Sequence, residues 1–334
     1  MNVYPLQSKP NISGGSNSLN YRGCYQQGLC RLITFIGCFL SLFSSPALEG
    51  KEQVVKEHLS GDKWYQAFVT SKILYKGKTP FQRIAIFENQ DFGRILTLDE
   101  VVQLTQKDEP HYHEMIVHVP FLSHGNVHSV LIIGGGDGGT LREVFRYDTV
   151  EKAVMVELDG QVVEICKKYL PTLSNGAFYD PRLELHIQDG IEFVKNTNQR
   201  FDVIIIDSTD PAGPSEVLFT KEFYKNCKRI LNNGGIVVAQ NGPTFDDDVA
   251  CLKGFRNLAP NFQYARIYLS VVPAYLGGQM CFSFATDAPD YFNISEEELE
   301  TRLKSLGGEM KYYTSAVHKA SFALPQYVLN AMKK

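Results

Sequence analysis

No excess of positive charge runs through this sequence: 33 Lys and Arg stand against 37 Asp and Glu, a formal net charge of −4. That excludes the basic footprint by which proteins hold nucleic acid. Long apolar runs are also missing. Residues 32–43 (LITFIGCFLSLF) follow Arg31 and precede Ser45-Pro46-Ala47, but they fall short of the roughly 20 residues a membrane-spanning helix needs. No membrane partner is expected. Of seven cysteines, Cys24, Cys30 and Cys38 lie in the first fifty residues, and Cys166, Cys227, Cys251 and Cys281 are scattered singly. None has metal-ligand or redox-pair spacing, so they read as reduced thiols in a reducing compartment. His111, His113, Glu114 and His118 do not make the zinc-protease pattern either. It needs a second histidine four residues after the first, and Val117 holds that place. No metal is expected.

What is present is organised around residues 129–159. The apolar run Val130-Leu131-Ile132-Ile133 ends in Gly134-Gly135-Gly136-Asp137-Gly138-Gly139 and opens into a helical pattern at Leu141, Val144 and Phe145. That is a buried strand, a tight turn and a helix start. A second apolar run, Ala153-Val154-Met155-Val156, ends in Glu157, about 20 residues on, where an acid can take the two hydroxyls of a ribose. The stretch predicts a nucleoside site. Asp137 inside the turn excludes a pyrophosphate, because two like charges at 4 Å repel by about 4 kcal/mol at an effective dielectric of 20. It favours a ligand that brings positive charge, such as a sulfonium or an amine.

At 334 residues, 44% hydrophobic and 21% charged, the chain has room for one large domain and a small one. Residues 1–50 read as an extension outside the fold: a polar, glycine-rich opening, then a signal-like segment at 31–47. Residues 62–108 read as a small antiparallel β domain. Tyr65, Ala67 and Val69 alternate, runs follow at 81–87, 93–98 and 101–104, and turns are expected at Tyr75-Lys76-Gly77-Lys78 and Asn89-Gln90-Asp91. Asp108-Glu109-Pro110 then starts a helix. From there to residue 334 strands and helices alternate, predicting an α/β catalytic domain: a Rossmann-like, methyltransferase-type, doubly wound sheet. Its strands end in Glu157, Asp189 and Asp207, which together with Asp137 should line one mouth beyond the carboxyl ends of the strands. The loop Asp207-Ser208-Thr209-Asp210-Pro211-Ala212-Gly213-Pro214 is stiffened by its prolines and carries two acids.

An acidic mouth around a nucleoside attracts cations and can accept a proton. An aliphatic amine is unprotonated only about once in 10³ at neutral pH, so an enzyme that uses it as a nucleophile must deprotonate it. A positioned carboxylate typically contributes about 10²–10⁴ in rate. Amine attack on a nucleoside sulfonium suits these residues. A methyltransferase acting on a small amine and a non-catalytic polyamine-binding protein are the competing readings.

The segments IFENQDFGRILTLD, VVQLTQKDEPHYHEMIVHVP, LIIGGGDGGTLREV, DSTDPAGP, VPAYLGGQM and YYTSAVHKASFALPQY closely resemble the spermidine synthases, or polyamine aminopropyltransferases, of bacterial type, over about residues 62–332. The resemblance implies transfer of an aminopropyl group from decarboxylated S-adenosylmethionine, a co-substrate rather than a resident cofactor, to putrescine, giving spermidine and 5′-methylthioadenosine. It implies Asp207 as proton acceptor, Asp137 as the holder of the donor's ammonium and Glu157 as the ribose ligand. It further implies Asp189 with Gly190 on the adenine side and Pro214 as a backbone contact to the nucleoside. Gln82, Tyr112, His113, Asp210 and Tyr275 match positions lining the donor and amine sites. A homodimer or homotetramer in the cytoplasm, where both substrates occur, is the implied setting; export is the alternative if residues 31–47 act as a signal. One departure is Glu100, where the family has Gly: if that turn needs a positive φ, the glutamate costs of order 1 kcal/mol there.

Overall fold

The computed structural model describes residues 53–59, 64–209, 213–245 and 251–333. Expectations for residues 1–50, for Asp210 and for the Pro214 side chain lie outside what is described.

Strands β1 (Gln53–Leu59) and β2 (Trp64–Thr70) form an antiparallel ribbon, so regular structure begins upstream of residue 62. β3 (Lys72–Lys78), β4 (Arg83–Asn89), β5 (Gly93–Leu98) and β6 (Val101–Thr105) make a four-stranded antiparallel meander. The alternation of Tyr65, Ala67 and Val69 marks a strand, as expected; Tyr65 and Val69 are exposed, and the opposite face, with Phe68 and Thr70, is buried. Phe68 packs on Phe87 and Phe92, at ring-centroid distances of 6.3 and 5.6 Å. One local expectation is corrected: the turn expected at residues 75–78 is strand. The chain reverses at Thr79-Pro80-Phe81-Gln82, closed by Thr79 N–H donating to Gln82 O at 2.8 Å. Gly77 stays inside β3 because the Tyr75 ring occupies the space a Cβ would fill.

The two-residue connection between β5 and β6 puts Asp99 at φ 47° and Glu100 at φ 72°. Both central residues of a tight hairpin turn of this hand need positive φ, which is the conformation a glycine supplies without strain.

Helix α1 (Glu109–His124) follows, with Pro110 in its first turn and Gly125 at φ 82° ending it. Met115, Ile116, Val117 and Val119 are completely enclosed, so trimming any large one to Ala would cost about 2–5 kcal/mol. The large sheet then runs through β7 (Ser129–Gly134), β8 (Lys152–Glu157), β9 (Leu183–Ile187), β10 (Phe201–Asp207), β11 (Leu231–Pro243), β12 (Tyr264–Val271) and β13 (Gln279–Thr286), in spatial order β12-β13-β11-β10-β7-β8-β9. The five strands β7 to β11 are parallel, and β13 joins β11 antiparallel. Continuous apolar runs are explained by burial on both faces. Val130 and Ile132 enter one core, Leu131 and Ile133 the other; Val203 and Ile205 part from Ile204 and Ile206 in the same way. From central β7 the chain winds outward through β8 and β9, then returns to β10 on the other flank. That reversal opens a crevice beyond the carboxyl ends of β7 and β10, the place where such sheets bind ligands.

Candidate active site

The glycine turn leaves β7 at Gly134 and leads into α2 (Gly139–Val144). Gly135 N–H donates to Asp207 O at 2.8 Å, and a Cβ on Gly134, at φ 87°, would overlap that same carbonyl. The turn is thereby stitched to the end of β10. A Cβ on Gly139 would collide with the His113 ring, so glycine there lets α1 lie against the turn. These close approaches bring Asp137, Asp207, Tyr112 and His113 together from three separate parts of the sequence.

Asp207 accepts from Tyr112 Oη and Thr140 Oγ1, both at 2.6 Å. Burial, and then the charge of Asp137, push its pKa above the usual carboxylate range. Asp137 behaves oppositely. Burial opposes its ionisation, but the His113 cation and the Gly139 N–H, which donates at 2.7 Å, outweigh it and hold the carboxyl below its ordinary value. His113 sets Nε2 3.3 Å from Asp137 Oδ1 and Nδ1 2.7 Å from Glu109 Oε2. Burial disfavours the charged ring, yet Asp137 and Glu109 raise its pKa to about 10. Glu109 in turn takes both terminal nitrogens of Arg142, at 3.0 and 2.8 Å.

On the β8 side, Glu157 accepts from Asp159 N–H at 2.8 Å, and burial raises its pKa to about 7, with Asp159, Asp207 and Asp137 adding to the effect. Asp159 caps α3 (Gly160–Tyr169) and is reached by Thr79 Oγ1 at 2.6 Å and Gln82 Nε2 at 3.0 Å. Gln82 therefore joins the small β domain to the carboxyl end of β8. Asp189 lies exposed at the end of β9, N-capping the helix Gly190–Asn196 through Ile191 N–H at 2.7 Å. A Cβ on Gly190 would meet Ile133 at 2.7 Å. Tyr275 donates to Gln103 O at 2.6 Å and its ring stands 6.2 Å from that of Tyr112, forming an aromatic wall beside the acids.

His113, Asp137 and Asp207 offer donor atoms within 4.8 Å of one another, the spread of a metal-ligand set. Both nitrogens of His113, however, face carboxylates and the ring is held protonated, so it has no lone pair to give a metal. Three carboxylates against one imidazolium leave a mouth of net negative charge, suited to an organic cation.

Sequence reasoning named Asp137, Glu157, Asp189 and Asp207; the structure brings Asp137 and Asp207 to one turn and leaves Asp189 an exposed helix cap, and it adds Thr140, Glu109 and Arg142, and also Gln240, whose Nε2 holds Ser208 O at 2.6 Å. Glu109 was readable: it stands four residues before His113, the spacing at which side chains meet on a helix.

Residues 109–295 match the spermine/spermidine synthase domain and residues 60–106 the spermidine synthase tetramerisation domain. The polyamine aminopropyltransferases of Escherichia coli O1:K1 / APEC and of Salmonella typhi are each 49% identical over 271 residues, which cover 81% of this chain and 94% and 95% of theirs. A crystal structure of a spermidine synthase in complex with the transition state analogue AdoDATO superposes with a TM-score of 0.81 at 40% identity, covering 85% of this chain and 96% of that one. The spermidine synthase from Thermotoga maritima gives 0.78 at 38% identity, covering 85% and 95%. With its glycine turn, its acidic crevice and both domains matched, the chain belongs to the spermidine synthase, or polyamine aminopropyltransferase, family of enzymes.

Proposed function

We propose that the chain moves the aminopropyl group of decarboxylated S-adenosylmethionine onto putrescine, with Asp207 as the base. The observation that carries this reading is the different company kept by two carboxylates in one mouth: Asp137 lies 3.3 Å from His113 Nε2, which against burial holds its pKa below the ordinary value, while Asp207 takes the Tyr112 and Thr140 hydroxyls at 2.6 Å and has its pKa raised by burial and by the charge of Asp137. Asp207 takes a proton from the bound ammonium, and the neutral amine so formed attacks the carbon of the propyl chain that is bonded to sulfur. The C–S bond breaks, sulfur keeps the electron pair as the thioether of 5′-methylthioadenosine, the attacking nitrogen ends as a secondary ammonium, and Asp207 releases its proton to water.

In this reading Glu157 takes the ribose hydroxyls, Gln82 supports that edge through Asp159, and Asp189, Gly190 and the Pro214 backbone frame the base. Asp137 holds the donor's ammonium. Tyr112, His113 and Tyr275 line the amine channel, and Asp210 is assigned to the amine by its match to the family motif alone. The match to a tetramerisation domain supports a homotetramer or homodimer, and a cytoplasmic setting, where both proposed substrates occur, fits the reading.

Incubation with decarboxylated S-adenosylmethionine and a panel of diamines, read by product mass, tests this. Spermidine and methylthioadenosine are expected from putrescine. Replacing Asp207 by Asn should lower the rate about 10²–10⁴-fold while nucleoside binding survives. Methylated amine from intact S-adenosylmethionine, or no product with any diamine, would refute the reading.

A further inference from the structure

Behind the acidic mouth runs a row of alternating charges that the reaction does not obviously require. Asp137 faces His113, His113 faces Glu109, Glu109 faces Arg142, and Arg142 Nε donates to Glu143 at 2.7 Å. Glu143 also receives His118 Nε2 at 2.9 Å and Arg146 at 3.4 Å. Glu109 and His113 are 5% and 2% exposed, so each needs its partner: a buried charge left alone is strongly disfavoured.

We propose that Glu109 and Arg142, neither of them hydrogen-bonded to Asp137 or Asp207, are a positioning pair for His113: the Arg142 fork fixes Glu109, and Glu109 fixes Nδ1 so that Nε2 points at Asp137 as a donor. This rests on the reading of the mouth given above. The charged and titratable groups facing His113 are Glu109 and Tyr112 from α1, Asp137 from the glycine turn, Asp207 from the end of β10, and Arg142 of α2 acting through Glu109. Of these only Glu109 and Asp137 bond the ring.

If Glu109 is neutralised, burial works against the imidazolium with one carboxylate opposing it instead of two. A neutral ring no longer offsets Asp137, and Asp137 and Asp207 then behave as two like charges sharing a site, where one carboxyl keeps its proton. The base would be lost at neutral pH and regained at higher pH. A merely structural Glu109 would instead depress activity equally at every pH.

The test is Glu109→Gln, an isosteric change, measured two ways. The profile of kcat/KM against pH should fall about 10–100-fold near neutrality, with its acid limb moved to higher pH and activity recovering as the pH rises. Independently of activity, the His113 ring resonances, assigned with a His113→Gln variant, should report an imidazolium through pH 8 in the parent and a ring that titrates below pH 8 in Glu109→Gln. A ring that keeps its proton in the variant, or an unmoved acid limb, overturns the proposal. Absence of aminopropyl transfer by the parent, with the ring titrating as described, would refute only the proposed reaction.

A second variant reads the other member. Arg142 lines a cavity of about 510 Å³ together with Glu109, Glu143 and Arg146, which gives free guanidinium a route to its place. Arg142→Ala should lose activity and regain part of it in dilute guanidinium that leaves the parent unaffected. Failure of guanidinium to restore activity, or full activity without it, overturns the role of Arg142.

Discussion

On the proposed reading the chain prefers a decarboxylated nucleoside to an intact one, and replacing Asp137 by Asn should shrink that preference. The intact donor adds a carboxylate beside the ammonium, in a mouth that already holds Asp137 and Asp207. At 4 Å and an effective dielectric of 20 its repulsion by Asp137 is about 4 kcal/mol. The structure places His113 behind Asp137, with Nε2 3.3 Å from Oδ1, and an imidazolium about 6.5 Å from the incoming carboxylate gives back roughly 2.5 kcal/mol. Asp207, taken about 6 Å away, adds nearly 3 kcal/mol of repulsion. The net penalty is about 4 kcal/mol, so the parent should prefer the decarboxylated form by about 10²–10³, water penetration reducing it toward the lower figure. In Asp137→Asn the largest repulsion disappears, but His113 loses with it the carboxylate that most favours its charge, so the compensating attraction fades while the Asp207 repulsion remains, and the ratio should shrink by about tenfold. Much of that change comes from weaker binding of the true donor, because an amide accepts a hydrogen bond from an ammonium without attracting it as a charge. Equilibrium competition of the two nucleosides for parent and variant measures the ratio directly. Equal affinities in the parent would refute the role given to Asp137 and revive the methyltransferase reading.

Other outcomes follow from the same geometry. Glu157, whose pKa is raised to about 7 by burial and its acidic neighbours, accepts ribose hydroxyls best when ionised, so methylthioadenosine affinity should rise between pH 6 and 8 with release of a proton. Calorimetry in buffers of different ionisation enthalpy checks this, and flat affinity without proton release would count against the ribose contact. Glu100→Gly relieves a positive φ of 72° and should stabilise the fold by about 1 kcal/mol, less whatever the exposed pair with Arg83 at 3.4 Å contributes, which is small; a lower melting point than the parent would contradict it. Removal of residues 1–50 should leave a soluble, active enzyme, since every site residue named here lies beyond them; loss of soluble protein would show that the extension serves the fold.

The sheet and the site were unequally legible. A strand buried on both faces writes itself as an uninterrupted apolar run, so β7 and β10 were readable, and the acids that close β8 and β10 were readable because a strand end is a place and not a conformation. The strain at Glu100 was signalled by the glycine that the resembled family carries there, and the positive φ of 72° is the reason a glycine suits the place. In β2, by contrast, apolar residues fall on both faces, Trp64 and Phe68 on one and Tyr65 and Val69 on the other. Period 2 identifies the strand without saying which face is covered; Phe87 and Phe92, distant in sequence, decide it for Phe68. Gly77 misled for a related reason. Glycine marks a turn only when nothing else needs the space, and here the Tyr75 ring does.

Glu109 shows where residue-by-residue reading stops. Next to Pro110 it reads as an acid at a helix start, and its charge does suit that end of the helix. Its bond to His113 is local and visible in the spacing, but its bond to Arg142 depends on the glycine turn folding α2 back over α1, which no periodicity reports. The consequence reaches the chemistry. Asp137 and Asp207 are the same functional group in the same mouth, and under the proposed reading what separates a holder of the donor's ammonium from a base is the His113 cation standing beside one of them. Thr140 and Tyr112 bring hydroxyls to Asp207 at 2.6 Å, whereas His113 brings a charge to Asp137. On the same reading, a chain that kept both aspartates and the glycine turn but lost the support of His113 would still present an acidic crevice, and its two carboxyls would compete for one proton instead of dividing the tasks proposed for them.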